Sequence, residues 1–146
     1  MRKIIKFSGI EISEKKPPLV IPEIGINHSG NLESAFKIVD SAKRAGAKII
    51  KHQTHIPDDE MSPHAKSIIP GNSNKNIYHI ISNCALSEEN EYKLASYIRK
   101  KKLVFLSTPF SRKAVDRLIK FNVSAFKIGS GEFNNTPLLE SPLAKS

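Results

Sequence analysis

The chain has 146 residues, 39% hydrophobic and 25% charged, a formal net charge of +9 and one cysteine, Cys84. This is an ordinary globular composition, long enough for one domain with a real core, and a lone thiol excludes an intramolecular disulfide framework. Lys and Arg are spread along the chain without aromatic interleaving, so the positive charge reads as a solvated surface and not as a nucleic-acid interface.

The chain opens on the basic stretch of residues 1–7, where Lys6 interrupts the apolar run and leaves no signal-peptide core. No later run approaches the length that spans a bilayer, so the expectation is a cytoplasmic protein with no membrane partner. Ile4, Ile5 and Phe7 lead through Ser8-Gly9 to Ile10 and Ile12, which predicts a β-hairpin over residues 1–16. Lys15-Lys16-Pro17-Pro18 then breaks the chain before a first strand expected at residues 19–21. From Leu32 the apolar positions Ala35, Phe36, Ile38, Val39 and Ala42 recur at helical spacing up to Gly46, a C-terminal cap. A second strand is expected at residues 47–50, and the connection that follows, residues 55–86, is far longer than usual. Its apolar Ile77, Tyr78, Ile80 and Ile81 predict an ordered excursion with a short helix on the ligand side. Ser87 is an N-cap followed by Glu88 and Glu89, opening a helix that carries Tyr92, Leu94, Ala95 and Ile98. A strand at 103–106, a helix from Ser111 with Ala114, Val115, Leu118 and Ile119, and a last strand at 125–128 complete the pattern.

Alternating strand and helix predicts an α/β fold with parallel strands. The repeat occurs about four times, whereas a closed eight-fold barrel typically takes about 250 residues. The chain therefore reads either as a small open sheet or as part of a larger barrel. Each expected strand ends in polar residues: Glu23, Asn27 and His28; Lys51, Gln53 and Thr54; Ser107 and Thr108; Ser130 and Glu132, with Lys127 inside the last run. Carboxyl ends of parallel strands are where side chains converge on a ligand. Two ammonium groups among hydroxyls and amides point to an anion, most simply a phosphate or carboxylate. His52 and His55 fall on opposite faces of an extended strand and have no carboxylate-rich partner segment nearby, so no metal site is expected wholly within the chain.

Five segments carry a family resemblance: Pro22-Glu23-Ile24-Gly25-Ile26-Asn27-His28-Ser29-Gly30, Lys51-His52-Gln53-Thr54, Ile69-Pro70-Gly71-Asn72, Leu106-Ser107-Thr108-Pro109-Phe110 and Phe126-Lys127-Ile128-Gly129-Ser130-Gly131-Glu132. In order and spacing the chain resembles the amino-terminal half of bacterial sialic acid synthases, including those making legionaminic or pseudaminic acid. Ser29 stands where many relatives have asparagine, and His52 where many have phenylalanine. The resemblance implies a partial (β/α)8 TIM barrel, about the first four βα units, over residues 17–146 as a truncated barrel domain. It implies condensation of phosphoenolpyruvate with an N-acetylated amino sugar of the N-acetylmannosamine type, giving a nonulosonic acid and phosphate. It also implies a divalent metal, manganese or magnesium, with histidine ligands outside this chain, and a homodimer for the full-length protein.

By the same resemblance Lys51, Gln53, Thr108, Lys127 and Ser130 hold phosphoenolpyruvate, Glu23 and Asn72 face the sugar, and Glu132 sits beside the reacting centre. Two other readings stand beside this one. One is a Schiff-base aldolase with Lys127 as nucleophile. The other is a non-catalytic phosphosugar-binding or nucleic-acid-binding fragment.

Overall fold

A computed structural model describes residues 4–143; the ends of the two expected segments, 1–3 and 144–146, lie outside the described residues. Strands β1 (Ile5–Phe7) and β2 (Ile10–Ile12) pair antiparallel, with Phe7 opposite Ile10. The two residues between them, Ser8 and Gly9, both have positive φ (48° and 77°), the geometry that matches a tight hairpin to the twist of its strands.

The main sheet is parallel, in the order β3 (Glu23–Gly25), β4 (Ile49–Thr54), β5 (Val104–Pro109). Helix α1 (Leu32–Arg44) joins β3 to β4. The excursion after β4 holds α2 (Pro57–Glu60), a 3-10 turn at Pro63–Ser67 and α3 (Ile77–Cys84), followed by α4 (Glu88–Lys100). After β5 come α5 (Arg112–Lys120), a 3-10 turn at Ser130–Glu132 and α6 (Thr136–Leu143). Side chains cap the three sheet-packing helices: Asn31 accepts from Ser34 N, Ser87 from Asn90 N and Ser111 from Ala114 N, each filling one of the unpaired N–H groups of a first turn.

Three expectations need correction. The first core strand forms at 23–25 and not at 19–21, where Val20 is 72% exposed. Prolines 17, 18 and 22 have no N–H to give a ladder, and pairing with β4 begins only at the Pro22 carbonyl, which accepts from Lys51 N at 2.9 Å. Residues 125–128 do not form a full strand: Phe126 makes a single parallel bridge to Ser107, and Lys127 N donates to Ser107 O at 3.0 Å before the chain turns at Gly129. The parallel layer is thus three strands and one bridge among the described residues. In α4 the apolar stripe runs through Glu91, Leu94, Ala95 and Ile98, while Tyr92 is 51% exposed against the edge of Phe121.

Strand alternation gives the sheet two faces. Ile24, Ile50 and Phe105 face Val39 of α1, Leu94 and Ile98 of α4 and Leu118 of α5, and these apolar side chains form the core. The opposite face carries Glu23, Lys51 and Gln53, with Leu106 paired to Lys51 and Thr108 to Gln53 across the ladder. At the amino ends of the strands, beneath the hairpin, a cavity of about 740 Å³ is lined by Ile10, Pro17, Pro18, Val20, Ala47 and Lys48 among others. The polar cluster lies at the other end. No helix of the described residues is long and apolar enough to cross a membrane.

Candidate anion-binding site at the strand ends

The register between β3 and β4 shifts at Glu23/Gly25, and this irregularity sets the Glu23 carboxylate over β4. Lys51 Nζ lies 2.5 Å from Glu23 Oε1, with the lysine side chain 16% and the glutamate 42% exposed. Gln53 Nε2 donates to the same oxygen at 3.2 Å. Gly25, at φ +52°, lies just behind: a Cβ there would stand 3.5 Å from the carboxylate and 3.7 Å from Gln53 Oε1. Beyond the end of β4, His55 Nε2 is 3.3 Å from Gln53 Oε1 and its Nδ1 is 2.8 Å from Glu60 Oε1. The polar chain Lys51, Glu23, Gln53, His55, Glu60 is continuous.

Thr108 faces Gln53 across the ladder, and its Oγ1 is buried without a hydrogen-bond partner. A buried hydroxyl without a partner costs free energy, so it is primed for an acceptor brought by a ligand. The bridge at Phe126 places Lys127 next to Thr108 by strand alternation, on the Lys51 face. A Cβ at Gly129 would stand 3.6 Å from both Thr108 Cγ2 and Glu132 Cγ, so these two side chains converge on that glycine. Glu132 Oε2 accepts from Asn135 Nδ2 at 2.6 Å. Ser130 is exposed in the 3-10 turn. Asn72 is exposed in a turn closed by Ser73 N to Pro70 O, and among the described residues no hydrogen bond joins it to the cluster. The structure therefore brings together Glu23, Lys51 and Gln53, sets Thr108 and Lys127 beside them by register and Glu132 beside Thr108, and leaves Ser130 and Asn72 on the surface.

Behind the site, on the helix-facing side of β4, sits a buried polar network absent from the sequence reading. Glu91, 1% exposed, accepts from Thr54 Oγ1 at 2.5 Å and Arg117 Nη1 at 2.9 Å, and lies 3.3 Å from His52 Nδ1. Burial by itself would raise the Glu91 carboxyl, yet the hydrogen bonds from His52, Thr54 and Arg117 hold it below its usual range. His28 stacks on His52 with centroids 5.5 Å apart and accepts from Gly30 N at 3.1 Å. Burial, then the neighbouring His52, pushes its pKa down to about 4. The signal for this network was available in the sequence: Glu91 occupies the stripe position three residues before Leu94, where an apolar residue is expected.

The NeuB family pattern matches residues 38–146. The chain belongs to the NeuB family. It is 34% identical over 132 residues to an N,N'-diacetyllegionaminic acid synthase of Legionella pneumophila, covering 86% of this chain and 36% of that protein. It is 29% identical over 142 residues to the N-acetylneuraminate-9-phosphate synthase of Mus musculus, covering 94% and 39%. The α/β fold resembles the crystal structure of an N-acetylneuraminic acid (sialic acid) synthetase from Leptospira borgpetersenii in complex with citrate, with a TM-score of 0.77, 26% identity and coverage of 97% of this chain and 46% of that one. The chain thus spans less than half the length of these relatives.

Among the described residues no group of three or more His, Cys, Asp or Glu side chains is placed to hold a metal ion. The divalent metal implied by the resemblance finds no donor set that fits it among the described residues.

Proposed function

We propose that the chain supplies the phosphoenolpyruvate-binding part of a nonulosonic acid synthase, built as the first strand-helix units of a (β/α)8 barrel with the β1–β2 hairpin beneath it. The observation that carries this is the convergence of Lys51, Gln53 and the partnerless Thr108 hydroxyl on one face at the carboxyl ends of adjacent strands. Membership of the NeuB family supports a ligand site at these strand ends.

The chemistry assigns work to each group. Phosphoenolpyruvate carries a phosphate and a carboxylate, which Lys51 and Lys127 neutralise while Gln53, Thr108 and Ser130 supply oriented donors. As C3 of the enol bonds to the sugar aldehyde carbon, positive character develops at C2; water adds there, and the C–O bond to phosphate then breaks. Glu132, held by Asn135, is the carboxylate beside Thr108 that orients that water or takes its proton. Glu23 shares its oxygen between Lys51 and Gln53 until an anion takes over those donors, which frees the carboxylate for a sugar hydroxyl. Asn72 reads the acetamido group from the excursion.

In the full protein, phosphoenolpyruvate is expected to bind and, with N-acetylmannosamine and manganese, to release phosphate. Lys51→Met weakens phosphoenolpyruvate binding by about 10- to 100-fold, as expected for a lost charged hydrogen bond. Glu132→Gln abolishes turnover while sparing that binding. Calorimetry that finds no phosphoenolpyruvate binding by the unaltered protein, or full turnover by Glu132→Gln, overturns the assignment.

A further inference from the structure

His55 stands at the edge of the anion site with no role yet assigned to it, and its surroundings are built around it. It is the first residue past β4, 7% exposed, with its ring stacked on Phe110 at 4.5 Å and 9°. Its Nδ1 is 2.8 Å from Glu60 Oε1, and the other Glu60 oxygen accepts from Ile56 N at 3.2 Å. The Glu60 side chain is only 5% exposed, so a short helix of four residues, α2, places a buried carboxylate against one ring nitrogen.

The other ring nitrogen reports on Gln53. Gln53 gives its N–H to Glu23 Oε1, an oxygen that can only accept, which leaves Gln53 Oε1 turned toward His55 Nε2. A carbonyl oxygen carries no hydrogen, so that contact is a hydrogen bond only if Nε2 is the donor. The Nδ1 contact with Glu60 needs a second hydrogen, wherever along that bond it resides. Turning the Gln53 amide over would satisfy a ring lone pair at Nε2, but it would set the amide oxygen against the Glu23 carboxylate. The bonds at both ends of Gln53 agree on one orientation.

We propose that His55, oriented by Glu60, is a positioning residue that donates from Nε2 to Gln53 Oε1 and so fixes the Gln53 amide with its N–H groups toward the anion face. This rests on the reading of that face as a phosphoenolpyruvate site. It makes the pocket selective for anions: with its oxygen engaged, Gln53 offers a ligand only donors, matching Lys51 and Thr108. Once an incoming phosphate or carboxylate takes over the donors held by Glu23, His55 is the bond that still fixes the amide; without it the amide can then turn and present lone pairs to the anion.

Three variants and one spectrum test this. His55→Phe combined with Glu60→Gln keeps the ring on Phe110 and an acceptor for Ile56 N while removing the donor. It is expected to weaken phosphoenolpyruvate binding by about 10-fold, the range for one oriented hydrogen bond, with a melting temperature near that of the Glu60→Gln protein. His55→Gln, whose amide nitrogen reaches as far as Nε2, restores affinity to within about 3-fold. Equal weakening in His55→Gln and in the double variant overturns the proposal, because loss of fit alone predicts it. In the free protein, ¹H–¹⁵N spectra at neutral pH should show a hydrogen on His55 Nε2; a bare Nε2 overturns the proposal. That spectrum decides the role of His55 even where the unaltered protein binds no phosphoenolpyruvate, the result that would instead remove the functional reading.

Discussion

Gly30 is the residue on which the approach to the site turns. Its φ of +74° already favours glycine, and a Cβ built there would collide with the backbone carbonyl of Asn83 at the end of α3. A backbone carbonyl in a helix cannot swing aside as a long side chain does, so the loop after β3 and the excursion after β4 touch through that missing side chain. Gly30→Ala is expected to destabilise by about 2–3 kcal/mol, combining a strained φ with a main-chain clash. Gly46→Ala, at φ +88° with open space around the added Cβ, should lose only about 1 kcal/mol. Urea denaturation of the pair measures the difference, and equal losses would show that the Asn83 contact plays no part. The sequence identified the polar residues at Glu23, Lys51 and Gln53 from strand-end chemistry. It did not reveal that Glu23 would be bonded to both, because that depends on a register shift between β3 and β4 that one sequence does not encode locally.

At the scale of elements, β4 shows both what pattern reading captures and what it misses. The polar residues Lys51, Gln53 and Thr54 were legible as the end of an apolar run at 47–50, but the strand itself runs Ile49–Thr54, so Lys51 and Gln53 lie within it on one face with the core on the other. The helix-facing side, however, changes from apolar Ile50 to polar His52 and Thr54 toward its carboxyl end, and those groups need partners from elements far away in sequence. Glu91 of α4 and Arg117 of α5 supply them, tying two helices to the strand that carries the site. A carboxylate on an apolar stripe was the visible clue, whereas the expected stripe began one residue later, at the half-exposed Tyr92. Removing one member of a buried charged pair leaves the other uncompensated, so Glu91→Leu is expected to destabilise by about 3–5 kcal/mol. Adding Arg117→Met should recover part of that loss, because the stranded guanidinium goes with it. A double variant no more stable than the single one, by chemical denaturation, would show that Arg117 is satisfied without Glu91.

For the molecule as a whole, the strand-helix order was readable because helical and extended periods differ and because Ser87 and Ser111 open their helices where expected. The edges of the sheet were harder to read. Prolines delay β3, and residues 125–128 have one ladder contact, since pairing is decided by neighbours and not by the apolar run itself. The buried histidines add a property of the entire fold, its dependence on pH. His28 titrates near 4 in the folded chain against a usual 6.5, because burial and then His52 oppose its charge more than hydrogen bonding to the Gly25 backbone and the distant Glu91 favour it. Between those two values the unfolded chain binds the extra proton, so stability rises with pH there and is lost as pH falls from about 6.5 toward 4. The full shift corresponds to about 3 kcal/mol. Glu91, depressed in the folded state, acts in the same direction but only as pH drops below the ordinary glutamate range, so the two contributions separate along the pH axis. His28→Asn, whose Oδ1 can still accept from Gly30 N, should flatten the slope between pH 6.5 and 4 and leave the loss at lower pH in place. Unfolding free energies across that range test it: an unchanged slope in the variant would assign the proton uptake to another group.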